Sequence, residues 1–343
     1  MIAIRSPQEE IMKKYLLPDS GSFYKANLHS HTEMSDGRIS PEQTKEFFKS
    51  NGYSIVAYTD HDIFVDRSHL ADEDFLPLNG LELEINGRNF GRGWRDMETC
   101  HINLIALEPD NLITPFYHRK KYLLRNAPKY RHLLQFDESE PDYERFYTPQ
   151  CINEMLLGGR RKGFFTVYNH PSGSLEDYPA YSQYHYMHAM EMYNGKYEYN
   201  PRVYDDLLRL GNIIYCVGGD DNHSTTDAGF SWTMIKAEKL EYRTVTKALM
   251  DGHFYCSQGP EIYELYVEDK KLHIKTSDAF EIIFNSAARA PGCYHRAEPG
   301  SYLNEASFDI LPECVYVRVT VVGPNGKTAS TNAYRSIDLL KET

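Results

Sequence analysis

Several protein classes are excluded by what this 343-residue chain lacks. No apolar run approaches the ~18 residues that a membrane-crossing helix requires. The N-terminal stretch MIAIRSPQEEIMKKYLLP is broken by charges within ten residues and holds no secretory h-region. Six cysteines, Cys100, Cys151, Cys216, Cys256, Cys293 and Cys314, are scattered and never form CxxC. That spacing argues against a disulfide framework and fits free thiols in a reducing cytoplasm, the expected location. Basic residues are in deficit: Lys plus Arg is 37 and Asp plus Glu is 49, a formal charge of −12. A surface of that sign repels nucleic-acid backbones and anionic lipid, so neither long nucleic acid nor a membrane is an expected partner. There is no repeat and no low-complexity linker. What remains is ordinary globular composition, 41% apolar and 25% charged, long enough for one large or two modest domains.

Residues 23–256 alternate short apolar runs with helical stretches, the pattern of an α/β fold. Seven strands are predicted, at 24–28, 55–59, 75–82, 101–107, 164–168, 189–193 and 213–217. Ser40-Pro-Glu-Gln predicts a capped helix to about residue 50. Thr148-Pro-Gln predicts another, ending near Gly158-Gly159, and Asn200-Pro-Arg a third, ending near Gly211. Between Glu82 and His101 the chain is rich in Gly and charge, which fits a hairpin or loop. Residues 108–147 are too long for a simple connection. Six Lys or Arg fall within 111–136 with no acid, and five acids follow within 137–144. This is either a solvated helical excursion whose halves pair, or a lid whose basic half meets an anionic substrate. Beyond Ser257 the texture changes. Val315 to Val322 alternates and breaks at Pro324-Asn-Gly-Lys327, a hairpin signal. The expected division is an N-terminal extension at 1–22, an α/β unit at 23–256 and a small all-β domain at 257–343.

The chemistry-bearing residues gather at predicted strand ends. His29 and His31 close the first strand, and a period of two points them the same way. Asp36 follows in a turn. His61 ends the second strand in Tyr58-Thr-Asp-His-Asp62, and Glu82 ends the third. His101 opens the fourth, so a hairpin from Glu82 would return it to the same end. His170 ends the fifth, and Asp221 and His223 follow the seventh. Ligands at successive strand C-termini converge on one mouth, as in barrel enzymes. Six imidazoles and three carboxylates exceed what one ion can use, so two or three divalent ions are expected. Nitrogen and oxygen donors suit Zn, Mn or Fe. Three such ions carry about +6 against −3 from the carboxylates, and the remainder suits a hydroxide plus a phosphate dianion. Taken singly, each of these residues is more simply read as a core or surface side chain. Their recurrence at strand ends carries the reading.

On Leu28-His-Ser-His-Thr32, Ser35-Asp-Gly37, Ile55 to Asp62, Glu82, His101, Asn169-His-Pro171, Glu191-Met-Tyr-Asn194 and Asp221-Asn-His223, residues 23–256 resemble the PHP (polymerase and histidinol phosphatase) metallohydrolases. Ser257-Gln-Gly-Pro260 and Ala329-Ser-Thr-Asn332 resemble the tail of the carbaryl-hydrolase-like (CehA/McbA-like) branch. The resemblance implies a distorted (β/α)7 barrel, followed here by the C-terminal β domain, and a trinuclear centre. One ion would take His29, His31, Glu82 and Asp221. A second would share Glu82 and add His101 and His170. A third would take Asp36, His61 and His223. Asp36 stands where some members have histidine. Gly218-Gly-Asp220 leaves Asp220 beside Asp221 as a competing ligand.

The function expected from these residues is a metal-dependent phosphoesterase acting on a small phosphomonoester or short phosphodiester. A water bridging two ions would lose its proton and attack. The alternatives are hydrolysis of a carboxylic ester, amide or carbamate at the same centre, or a non-catalytic metal-binding module. Glu82, Asp60, Asp62, Asn169 and Glu191 are the catalytic and orienting candidates, with buried structural polar groups as the plain alternative for the last four. Arg125, Arg160 and Arg161 are candidates for binding the substrate phosphate, with solvated surface charge as the alternative.

Overall fold

The protein is described by a computed structural model over residues 13–91, 93–196, 198–287 and 293–341. Residues 1–12 of the expected N-terminal extension lie outside the described residues. Strands of four residues or more are numbered in chain order: β1 Ser22–Asn27, β2 Ile55–Tyr58, β3 Leu76–Asn89, β4 Met97–Ala106, β5 Phe164–Tyr168, β6 Ala189–Asn194 and β7 Tyr215–Gly219. These are the seven predicted strands, shifted by a few residues, with β3 running well past Glu82. They are followed by β8 Trp232–Ala237, β9 Phe254–Ser257, β10 Ile262–Glu268, β11 Lys271–Ala279, β12 Glu281–Ser286, β13 Leu303–Asp309, β14 Tyr316–Val322 and β15 Thr328–Thr331. The longer helices are α1 Pro41–Ser50, α2 Pro149–Arg161, α4 Pro201–Arg209 and α5 Tyr242–Asp251, with short α3 Tyr178–Tyr181 and α6 Ser336–Leu340.

The fold is mixed α/β. β2 is a continuous apolar run and β5 is one but for Thr166, and both are buried on both faces, as covered strands require. α1 starts where its cap predicts: Ser40 Oγ accepts from Gln43 N, and the Gln43 side chain accepts from Ser40 N. α2 ends close to the Gly158-Gly159 pair but takes both glycines inside it. It runs on to Arg161, and the two glycines serve packing. A Cβ on Gly158 would stand 2.8 Å from the Phe116 ring, and one on Gly159 2.8 Å from Leu104 Cδ2. The 108–147 segment is largely irregular rather than helical, with one 3-10 turn at Ala127–Leu133. Its halves do pair: Arg119 with Asp142, and Lys121 with Glu144.

β1, β2 and β3 run parallel, β4 is antiparallel to both β3 and β5, and β5, β6 and β7 run parallel. This departs from a closed (β/α)7 barrel in two ways. The β3–β4 hairpin reverses one strand, and no ladder joins β7 to β1 among the described residues. The free edge of β1 is instead taken by β8, antiparallel, from Thr233 opposite Ala26 to Ala237 opposite Ser22. The sheet continues from β8 through β9, β15 and β14 to β12. At the upper end the seam is bridged locally: Asp221 N donates to His29 O, and His31 N to Asn222 O. Asn27 reinforces it, donating to Asn222 Oδ1 and accepting from Asp220 N.

The Asn325-Gly326 signal stands in the turn between β14 and β15, which pair antiparallel. A second sheet holds Lys14–Tyr15, β10, β11 and β13. Its apolar residues, Leu265, Val267 and Ile274, form one buried cluster with Phe284, Val319 and Val321 of the large sheet. No helix among the described residues is long and apolar enough to cross a membrane.

Candidate metal centre

The residues that follow the C-terminal ends of β1, β2, β5 and β7, and Glu82 midway along β3, meet in one pocket. The β3–β4 hairpin brings His101 back beside them, with Glu84 opposite His101 in the ladder. All nine predicted ligands are brought together there. Glu82, fully buried, lies at the centre. Its two oxygens are approached by five imidazoles: His29 Nε2 at 3.3 Å, His31 Nε2 at 3.2 Å, His61 Nδ1 at 3.3 Å, His101 Nδ1 at 3.0 Å and His170 Nε2 at 3.3 Å. Asp221 Oδ1 stands 2.9 Å from His31 Nε2 and 3.3 Å from His29 Nε2. Asp36 faces His223 Nε2 at 3.1 Å, His31 Nδ1 at 3.5 Å and His61 Nε2 at 3.9 Å.

Ligand-type atoms within 4.8 Å of one another form overlapping groups. One is His29, His31, Glu82 and Asp221. Another is His31, Asp36, His61 and His223. A third is His61, Glu82 and His101. A fourth joins His29 and His170 to Glu191.

The electrostatics of the pocket call for positive charge. Burial pushes the histidines down, but hydrogen bonds and charge from Asp221 and Glu82 outweigh it and hold His31 up at about 9. The same balance, with Glu82 foremost among the raising partners, holds His170 at about 9. His29 is raised well above its ordinary value against its burial by Asp221, Glu82 and Glu191. Burial would raise Glu82, but His29, His101 and His61 hold it well below the usual carboxylate range. Two go the other way: burial, abetted by His31 and His101, lowers His61 to about 4 despite Glu82, and burial with His31 lowers His223. Either protons or cations must neutralise these carboxylates.

The orienting candidates surround this set. Glu191 takes His29 Nδ1 at 2.9 Å and accepts from His170 N and Asn194. A carboxylate on Nδ1 leaves Nε2 free to face the pocket. Asn169 donates to Glu82 Oε1 at 2.8 Å. Asp60 accepts from Thr32 N, Thr32 Oγ1, Ser35 Oγ and Arg67, and so ties down the turn between His31 and Asp36. Asp62 is paired with Arg145. Asp62, His170 and Asp221 have positive φ, of 57°, 21° and 51°. Non-glycine residues held there cost roughly 1–3 kcal/mol each and cluster at functional sites.

Asp220 does not compete with Asp221. Its buried carboxylate turns away and accepts from Gly229 N, Phe230 N and Ser231 N. Burial raises it to about 6 in spite of those bonds. Of the three arginine candidates, only Arg125 reaches the pocket, where it pairs with Asp36. Arg160 and Arg161 end α2, just before β5 begins, whereas His170 follows the other end of β5. His170 lies six residues beyond Phe164, roughly 20 Å along extended chain. Arg160 is instead bonded to Tyr186 O.

Sequence reasoning missed Arg145, Arg67, Ser174 and Glu176. Ser174 Oγ lies 3.0 Å from His170 Nδ1. The buried Glu176 carboxylate accepts from Tyr147, Tyr168 and Tyr184. Only distance in the fold reveals these partners. For Arg67, Ser174 and Glu176 the available signal was a charged or hydroxyl residue within six positions of His61 or His170; Arg145, 83 residues from its partner Asp62, carried none.

Above the ligands opens a cavity of about 300 Å³, whose walls include Arg95, Arg125, Met97, Thr99, Glu84 and Asn86.

No family model and no curated protein matches the sequence. Solved structures do. A two-domain protein from Bacteroides vulgatus containing a predicted PHP-like metal-dependent phosphoesterase is 15% identical, covering 97% of this chain and 99% of its own, with a TM-score of 0.45. A lesion-specific endonuclease from Pyrococcus furiosus is 13% identical, covering 67% and 56%, with a TM-score of 0.40. An amidohydrolase from Chromobacterium violaceum is 16% identical, covering 58% and 87%, with a TM-score of 0.33. These are likenesses to proteins of mostly hydrolytic description, and the site stands on its own geometry.

Proposed function

We propose that this protein is a metal-dependent hydrolase of small phosphate esters, acting on a phosphomonoester or a short phosphodiester. The observation that supports it best is the five imidazoles set around the Glu82 carboxylate. Two buried atoms in that set, Glu82 Oε2 and His61 Nδ1, have no hydrogen-bond partner. Buried polar atoms rarely stay unpaired, and here they belong to good ligands for a divalent ion. The donor set therefore fits metals, and nitrogen and oxygen donors suit Zn, Mn or Fe.

In this reading His29, His31, Glu82 and Asp221 hold one ion, Glu82, His101 and His170 a second, and Asp36, His61 and His223 a third. Held there, divalent ions would supply an acidic water and positive charge for the phosphoryl oxygens. The remaining roles fall to the chain. Glu191 keeps a proton on His29 Nδ1. Asn169 orients Glu82. Asp60 fixes the turn that carries Asp36. Arg125, at the mouth, exchanges its partner Asp36 for a phosphate oxygen of the substrate. Phosphoryl transfer needs little from a protein beyond such positioning and charge. The resemblance of the ligand motifs to the PHP metallohydrolases supports the same class.

The test is hydrolysis of three nitrophenyl substrates, a phosphomonoester, a phosphodiester and a carboxylic ester, by protein loaded with Mn or Zn, with and without chelator. Chelator-sensitive release from a phosphate substrate is expected. Release from the carboxylic ester alone would instead mark an ester, amide or carbamate hydrolase. Silence on all three would mark a binding module.

A further inference from the structure

The β3–β4 hairpin overshoots the sheet. Past Glu82 it carries Glu84 opposite His101, and then Asn86 opposite Thr99. Alternation puts Glu82, Glu84 and Asn86 on one face, with His101 and Thr99 beside them. That face is therefore a track leading out of the metal centre. Glu84 stands roughly 7 Å and Asn86 roughly 13 Å along the strand from Glu82. All three added side chains line the cavity.

The polar groups elsewhere in the mouth are already engaged. Glu191 and Asn169 hold ligands, and Glu198 accepts from Ser172 N, Gly173 N and Asn200. The carboxylate of Glu84, the amide of Asn86 and the hydroxyl of Thr99 make no side-chain hydrogen bond to the described residues. Three unspent polar groups on one hairpin face a cavity of about 300 Å³, the low end of small-ligand sites.

We propose that this face is the leaving-group subsite, and that it selects a phosphomonoester of a sugar or similar polyol. The inference rests on the phosphoesterase reading. With the phosphate at the ions and beside Arg125, the esterified group lies along the hairpin. A carboxylate, an amide and a hydroxyl accept and donate to neighbouring hydroxyls, which an aryl or alkyl group does not offer. A site built to bond hydroxyls discriminates strongly against a substrate lacking them, because its own groups are then left unpaired. The negative charge of Glu84 disfavours a second phosphate or a carboxylate on the leaving group. Met97, opposite Asn89 farther along the hairpin, offers an apolar contact for a ring face.

The experiment compares kcat/KM for ribose 5-phosphate and nitrophenyl phosphate in the metal-loaded wild type and in Glu84→Gln, Asn86→Ala and Thr99→Val. Folding of each variant is checked by circular dichroism. Wild type is expected to prefer the sugar phosphate. The sugar-to-aryl ratio should fall about tenfold in Glu84→Gln and about threefold in the other two. A ratio within twofold of wild type in all three variants overturns the subsite. So does a wild type that turns over the aryl phosphate alone. No phosphate release from either substrate would overturn the phosphoesterase reading itself, and the subsite with it.

Discussion

Glu82 is the residue on which the centre turns. Each of its oxygens faces at least two imidazoles, and as proposed it is shared between two ions. Glu82→Ala should therefore lower the bound metal by two ions per chain, read by elemental analysis after dialysis. Loss of a single ion would refute the shared assignment. That the nine ligand candidates gather in one pocket was legible in the sequence, from residue type and from places at or near predicted strand ends. Asp220 against Asp221 was not legible. Which of two adjacent carboxylates turns inward depends on the backbone at Asp221, held at positive φ by its bond to His29 O. The arginines were least legible. Arg160 and Arg161 carry the right charge but follow the helix to the wrong end of β5. Arg125 reaches Asp36 across a gap of 89 residues.

At the scale of elements, α2 shows packing overriding a local signal. Two adjacent glycines read as a helix stop, yet they let the helix lie close against β4 and Phe116. Gly159→Ala gains about 1 kcal/mol of helix propensity. It also drives a Cβ to 2.8 Å from Leu104 and 3.1 Å from Thr166. Overpacking costs about 1–3 kcal/mol, so a net loss of roughly 1 kcal/mol is expected in urea unfolding.

The loop that follows β5 carries a second test. Burial raises Glu176 to about 7 from an ordinary 4.5, against the hydrogen bonds of three tyrosines. The folded protein thus binds this proton more tightly than the unfolded chain. The stability it contributes is fully present below about pH 4.5 and is lost as pH rises through about 7. Glu176→Gln, which has no proton to lose, should flatten the dependence of melting temperature on pH across that window. An unchanged slope would show that Glu176 does not titrate there.

The whole molecule was legible in its parts and less so in their joining. The seven strands and the Asn-Gly turn follow from apolar runs and turn chemistry. Which strand takes the open edge of β1 does not, because β8 lies about two hundred residues further along. The Ala329-Ser-Thr-Asn332 segment acquires a physical reason at this scale. Asn332 is fully buried. Its Oδ1 accepts from Cys216 N in β7, and its Nδ2 donates to Gly252 O and Phe254 O. One side chain thus joins the metal-bearing strands to the C-terminal ones. Asn332→Ala takes the acceptor from Cys216 N and a donor from Phe254 O, while Gly252 O keeps its bond from Phe254 N, and should cost roughly 2–4 kcal/mol in equilibrium unfolding. A loss below about 1 kcal/mol would show that the join is carried elsewhere.

The pairing of β1 with β8 also orders events in time. Translation at 5–20 residues per second delivers β8 roughly 10–40 s after β1 has left the ribosome. Through that interval the strand bearing His29 and His31 has an unpartnered edge, open to any other extended chain. The nascent chain therefore cannot close this edge of its metal pocket until β8 has been made, and the segment between β1 and β8 is the part most in need of a chaperone meanwhile.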